Sequence, residues 1–197
     1  MSNSETTPSK AIPQSSEEDL YFPALAPLYK AFAQPLAWTV LRVAIGLSLA
    51  YSGWSKIMAP MAMSGFVESL GFYPGWLWSP LMAIANFVGG LLIAIGLFTR
   101  PAALANGLML LVTLYYHVTH PYPPSFLSEA GIAALTGSPD LFSGGGLGML
   151  KDGGASFLRM MQEKAVTNSL FWSGGAFLYA AFGGGRLSVD HFMKKVF

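Results

Sequence analysis

From Ser69 to Thr99 the chain carries no charged side chain. A helix needs roughly 20 mostly apolar residues to cross the hydrocarbon core of a bilayer, and this stretch is longer than that. Inside lipid each backbone N–H and C=O has to find its partner within the protein, and a helix meets that demand within one segment. Charged residues make up only 11% of the sequence and apolar residues 53%, whereas a soluble domain is about 25% charged. We therefore read the chain as an integral membrane protein whose main partner is the lipid bilayer, with no soluble catalytic domain.

Residues 1–19 are polar and rich in Ser, Thr and Pro, a composition expected of a disordered tail. No basic segment leading at once into an apolar run marks a secretory signal, so insertion through the chain's own spans is expected. Residues 20–34 hold Tyr21, Phe22, Tyr29 and Phe32, broken by Pro23 and Pro27. Aromatic residues beside a span favour the headgroup layer, which predicts an interfacial segment.

The transmembrane domain is expected over residues 35–197. Its first span runs from Pro35 to Ile57. Ser79-Pro80 supplies a capping hydroxyl followed by a first-turn proline, which predicts a second span from there to about Phe98. A third runs from Pro101 to His120, stopped by Pro121, Pro123 and Pro124. A fourth runs from Val166 to Phe182. The expected fold class is thus an all-α membrane protein, a four-transmembrane-helix bundle with a long insertion, 121–165, between helices three and four. The middle of the insertion is glycine-rich, and Ser128–Leu135 and Ala155–Lys164 could form short amphipathic helices. A connection this long is usually functional or disordered. Its Leu, Phe and Met content favours folding over one end of the bundle or against a partner.

Lys and Arg collect on the cytoplasmic side of membrane proteins. Four spans put both termini and the Thr99–Pro101 turn on one side, with Lys30, Arg100, Arg186, Lys194 and Lys195, while the opposite short loop has only Lys56. The termini are expected in the cytoplasm and residues 121–165 outside, in a bacterial inner membrane.

The sequence contains no cysteine. That removes disulfides, thiolate zinc sites, iron–sulfur clusters and thiol relays. A net charge of +1 lacks the concentrated basic face of a nucleic-acid binder. There is no phosphate loop, nucleophile elbow or dinucleotide fingerprint, and no strand precedes the glycine run at Gly144–Gly148.

Residues 4, 7, 11 and 14 apart share a helix face. Arg42, Gly46, Leu49, Gly53 and Lys56 align on the first span, and Asn86, Gly90, Ile93, Leu97 and Arg100 on the second. Asn106, Thr113, His117 and His120 align on the third, and Asn168, Gly175, Tyr179 and Arg186 on the fourth. Small and polar residues of this kind let membrane helices approach and bond to one another. The intramembrane polar candidates are therefore Arg42, Asn86, Asn106 and Asn168. Charge inside a span is costly and points to function, although Arg42 is near enough to the helix start to snorkel. His117 and His120 could share a metal with Glu68 or Glu129, but their motif has no carboxylate of its own and no metal site is expected. Together with Tyr116 and Lys56 they are the candidate ligand site. An aromatic and His-lined pocket suits a quinone ring, and quinone is the cofactor such a site would take.

Leu41-Arg42-Val43-Ala44-Ile45-Gly46 followed by Gly53-Trp54-Ser55-Lys56-Ile57 resembles the first-span pattern of the DoxX family. The run from Gly89 through Thr99-Arg100-Pro101 to Ala103 resembles its second-span signature, and Gly185-Arg186-Leu187-Ser188-Val189-Asp190 its closing motif. The resemblance implies a four-helix membrane fold. The related DoxD proteins are subunits of a thiosulfate:quinone oxidoreductase, and other relatives are linked to membrane oxidoreductase complexes or act as assembly factors or cargo receptors. Two departures stand out. The family commonly has Glu a few residues before the Gly-Gly pair of span two, where this chain has Asn86, and its connection between spans three and four is usually short.

The expected role is an accessory, non-catalytic subunit of a larger membrane complex of the oxidoreductase or electron-transfer kind, docking other membrane subunits through residues 121–165. The alternative is a quinone-binding oxidoreductase subunit using His117, His120 and Lys56. A further alternative is an assembly factor or a small-solute transporter.

Overall fold

A computed structural model describes residues 21–194. The expected tail, 1–19, and Lys195 lie outside them. Among the described residues the chain is helical throughout, with no strand. Helix α1 spans Gln34–Met58, α2 Ser64–Ser69, α3 Gly75–Ile95 and α4 Thr99–Thr119. Helix α5 spans Glu129–Gly137, α6 Gly144–Leu150, α7 Ala155–Phe182 and α8 Val189–Phe192. Three helical stretches are long and apolar enough to cross a bilayer: Leu28–Met58, Gly75–Ile95 and Thr99–Thr119. The protein is membrane-embedded. Helix α7, at 28 residues, is longer than two of these, but more polar, and it is not among the three.

The first helix differs from expectation at its start. The segment Leu28–Ala33 is a π turn that runs directly into α1, so much of the predicted interfacial segment belongs to the helix. Pro35 has no N–H to donate to the turn before it, and it falls where the π turn passes into α1.

Helix α3 begins at Gly75 and not at Ser79. The Ser79 hydroxyl donates to the carbonyl of Pro60, tying α3 to the preceding loop, and Glu68 takes up the Gly75 N–H at 2.7 Å. The helix stops at Ile95, short of Phe98, because Gly96 turns left-handed (φ +77). The N–H groups of Gly96 and Leu97 both fold back onto Leu92 O at 2.9 Å. This is the glycine-led ending that satisfies a helix's last carbonyls.

Helix α7 also departs from expectation, joining the predicted amphipathic piece and the predicted span into one rod. No Gly or Pro stands between Lys164 and Val166 to break it. The glycine run is ordered too: Ser143 accepts from Gly146 N at 3.1 Å and caps α6. Ser128 caps α5 in the same way, accepting from Gly131 N at 3.3 Å.

Packing is pairwise. Helix α1 lies against α3 and α4 against α7, with α3 and α4 joining the pairs. Glycine makes the first contact close. A Cβ on Gly46 would fall 2.6 Å from Gly90 O, and one on Gly90 would fall 2.7 Å from Gly46 O. A Cβ on Gly53 would meet the backbone of Phe87. Without a hydrophobic force between helices in lipid, such backbone approach is what membrane helices gain from small residues. The buried face of α1, from Arg42 through Gly46 and Leu49 to Gly53, is the stripe read from its periodicity.

Candidate functional site

Polar groups inside the bundle fall at three levels. At the level of the α3–α4 turn, Arg42 is 2% exposed. It does not snorkel. Its guanidinium turns inward and donates to the carbonyls of Gly184 and, at 3.0 Å, Leu187. The loop 183–188 that it grips is further fixed by Trp38, whose indole N–H donates to Gly183 O at 3.1 Å. Tyr179 completes the cluster by donating to Trp38 O at 2.7 Å, its ring 4.8 Å from the indole.

The same loop delivers Asp190 to the start of α4. Its carboxylate accepts from Phe98 N at 2.9 Å, Thr99 N at 3.0 Å and Thr99 Oγ1 at 2.8 Å. An anion on the free N–H groups of a helix start is favourable both as hydrogen bonds and against the helix dipole. Asp190 N in turn donates to Gly96 O at 2.9 Å. The three sequence motifs that carried the family resemblance thus meet at one place: Arg42 of the first, Gly96 to Thr99 of the second, and Gly185 to Asp190 of the last. Periodicity missed Asp190, Ser188 and Trp38 here. The available signal was the lone Asp190 behind Ser188, a capping serine whose hydroxyl accepts from His191 N at 3.2 Å.

At mid-depth, Asn86 is buried. With its amide oriented to satisfy both atoms, the nitrogen donates to Leu49 O and the oxygen accepts from Lys56 Nζ, each at 2.7 Å. Asn106 is buried on α4 and donates to both Ala85 O and Ala102 O at 2.9 Å, crossing to α3 in the first of these. Gly89 makes room for it, since a Cβ there would fall 2.7 Å from Asn106 Nδ2. Asn168 differs. It is exposed, and the buried face of α7 is formed by Ser169, Ser173, Ala176 and Tyr179. Of the stripe expected on this helix, Tyr179 is buried and Gly175 half-buried, while Asn168 faces outward.

At the opposite end, Tyr116 stacks on His120 with centroids 4.6 Å apart and planes 13° from parallel. Phe66 of α2 meets the Tyr116 ring edge-on at 4.8 Å. His117 lies 5.9 Å from Tyr116 and 6.4 Å from Tyr122, and its carbonyl accepts from Gln162. Of the candidate ligand residues, Tyr116, His117 and His120 therefore form one aromatic group, while Lys56 is engaged with Asn86. Glu68 is committed to capping α3. Among the described residues there is no group of three or more His, Asp or Glu that could hold a metal.

Beyond the bundle, the Asp152 carboxylate accepts from Gly154 N at 3.1 Å and Ser156 N at 2.9 Å, and from the Ser156 hydroxyl. These bonds, the Ser156 hydroxyl's first, hold its pKa below the ordinary aspartate value.

Residues 37–119 match the family model described as DoxX. The match takes in Arg42, Lys56, Asn86, Asn106, Tyr116 and His117, and stops before the insertion and Asp190. No curated protein and no solved structure matches the chain.

Proposed function

The chain belongs to the DoxX family through residues 37–119, and on that premise we propose that it is an accessory, non-catalytic subunit of a larger membrane complex, of the oxidoreductase or electron-transfer kind. One observation carries this reading: the insertion is folded around Leu135 yet leaves several large apolar side chains uncovered. Leu141 is 80% exposed, and Phe126, Phe142 and Met149 are exposed with it. Ordered segments presenting apolar side chains outside the spans suit a protein partner. The bundle itself has no cysteine and, among its described residues, no metal-ligand cluster, so residues 121–165 are the docking surface we assign.

In this reading α7 is the fourth span. At about 1.5 Å per residue it is about 42 Å long, more than the roughly 30 Å of hydrocarbon. Its first turns, with Arg159, Glu163 and Lys164, then rise out of the membrane to carry the insertion. Lys30, Arg100, Arg186 and Lys194 at the other end support cytoplasmic termini in a bacterial inner membrane. A cysteine placed at position 150 is expected to label from outside only.

The test is co-purification from gently solubilised native membranes. Phe126 N bonds to Gly153 O at 2.7 Å, so residues 127–152 can be removed and the ends joined by a short glycine link. The full chain is expected to retain a stoichiometric set of larger membrane proteins and the shortened chain to lose it while still inserting. Equal retention by both would overturn the assignment.

The second reading, a quinone-binding subunit, draws support from the stacked Tyr116 and His120 rings and the Phe66 edge beside them. It predicts quinone in the lipid extract of the purified chain, lost on replacing His117 and His120 together by alanine.

A further inference from the structure

A groove of about 740 Å³ runs between the start of the first helix and the end of α7. Lys30, Gln34 and Trp38 line one wall at intervals of four residues, one helical turn each. Leu178 and Phe182, one turn apart at the end of α7, and Arg186 of the loop beyond it line the other. The first helix enters and α7 leaves at this end of the bundle, so Lys30 and Arg186 stand at the outer rim and the apolar side chains lie deeper. Trp38 is not free to fill the space, because its N–H is held by Gly183 O at 3.1 Å and its ring by Tyr179.

The charge at the rim is unbalanced. Among the described residues no carboxylate lines the groove. Asp190, the one described acid at this end of the bundle, places both oxygens on the start of α4. Two cations above an apolar cleft, at the level where a helix bundle meets the headgroups, complement a molecule with a phosphate at one end and hydrocarbon at the other. Basic pockets between helix ends bind anionic headgroups on these terms.

We propose that this groove binds one anionic phospholipid, its phosphodiester between Lys30 and Arg186 and the upper part of an acyl chain along Trp38, Leu178 and Phe182. Free phosphate would meet the same cations but would gain nothing from the apolar floor.

The full chain, purified in a mild detergent, is tested by native mass spectrometry against phosphatidylglycerol, phosphatidylcholine and the water-soluble headgroup glycerophosphoglycerol. Phosphatidylglycerol is expected to be retained about tenfold better than phosphatidylcholine, and the soluble headgroup not at all. Replacing Lys30 and Arg186 together by alanine is expected to abolish the preference. Both are exposed, and helical circular dichroism serves as the check on folding. Leu178→Trp, which fills the cleft and leaves both cations in place, is expected to weaken retention of phosphatidylglycerol. A double variant that kept the preference would overturn the proposal. Headgroup binding equal to lipid binding would overturn it as well, in favour of a phosphate site.

Discussion

Lys56 Nζ lies 2.7 Å from the side-chain oxygen of Asn86, so the cation at the end of α1 is held by a neutral acceptor on α3. A carboxylate there would face the same ammonium and form an ion pair, whereas the amide supplies one hydrogen bond and uses its nitrogen on Leu49 O. Asn86→Leu removes both bonds and leaves a half-buried ammonium with no acceptor. It is expected to cost about 2 kcal/mol. Asn86→Glu is expected to be at least as stable as the parent. Thermal unfolding in detergent, followed by tryptophan fluorescence, distinguishes the two, and an unchanged midpoint for Asn86→Leu would mean that Lys56 finds another partner.

Arg42 binds the far end of the chain to its first helix. Hydrogen bonds from a charged donor contribute about 1.5–3 kcal/mol each, and Arg42 makes two, to Gly184 O and Leu187 O. Arg42→Leu leaves both carbonyls unpaired and is expected to cost about 3 kcal/mol, taken from the same range. The loop 183–188 and the Asp190 cap behind it should loosen first, so limited proteolysis is expected to clip the variant there before the bundle unfolds. Arg42→Lys keeps the charge but not the planar fork and should fall between. A variant with the parent's cleavage pattern would show that Trp38 and Tyr179 hold the loop unaided.

Where packing follows from local periodicity, the sequence was a good guide. The α1 stripe from Arg42 to Gly53 and the buried positions of Asn86 and Asn106 follow from a 100° turn per residue, and the charge-free run located α3 within a few residues. What escaped depends on contacts distant along the chain. Ser79 reads as a helix cap until Pro60 O is found beside it. Arg42 reads as a snorkelling residue until the carbonyls of Gly184 and Leu187 are brought to it from more than a hundred positions away. Asn168 reads as inward because the stretch from Val166 to Phe182 has no charge to fix its phase, and Ser169 and Ser173 take the buried face. Of the candidate ligand residues, Tyr116, His117 and His120 are close in sequence and meet in space. Lys56, assigned to them by level alone, pairs elsewhere.

Glycine positions on the two sides of the bundle should respond in opposite ways. At Gly90 an added methyl would lie 2.7 Å from Gly46 O and 3.0 Å from Ala50 Cα, both backbone atoms that cannot move without separating α1 from α3. Gly90→Ala is expected to cost about 1–3 kcal/mol as an overpacked contact. At Gly174 nothing lies within 4 Å of an added methyl, and Gly174→Ala in mid-helix should be neutral or gain up to about 1 kcal/mol. Unfolding titrations of the two variants in parallel check the contrast, and equal effects would mean that α1 and α3 are not in backbone contact.

Asp152 gives the start of α7 a pH dependence. Its carboxylate holds Gly154 N, Ser156 N and the Ser156 hydroxyl, and these bonds lower its pKa. A depressed carboxyl pKa adds stability that is fully present above the unfolded value, about 3.9, and is lost as pH falls through the folded value. The first turn of α7 is therefore expected to be intact at neutral pH and to fray only below about pH 4. Ser156→Ala removes the largest of the lowering interactions, so in that variant fraying should begin at higher pH. Hydrogen exchange at residues 154–158, taken through an acid titration, reads the effect directly. Identical profiles for the parent and Ser156→Ala would show that the carboxylate, although bonded there, does not set the stability of this turn.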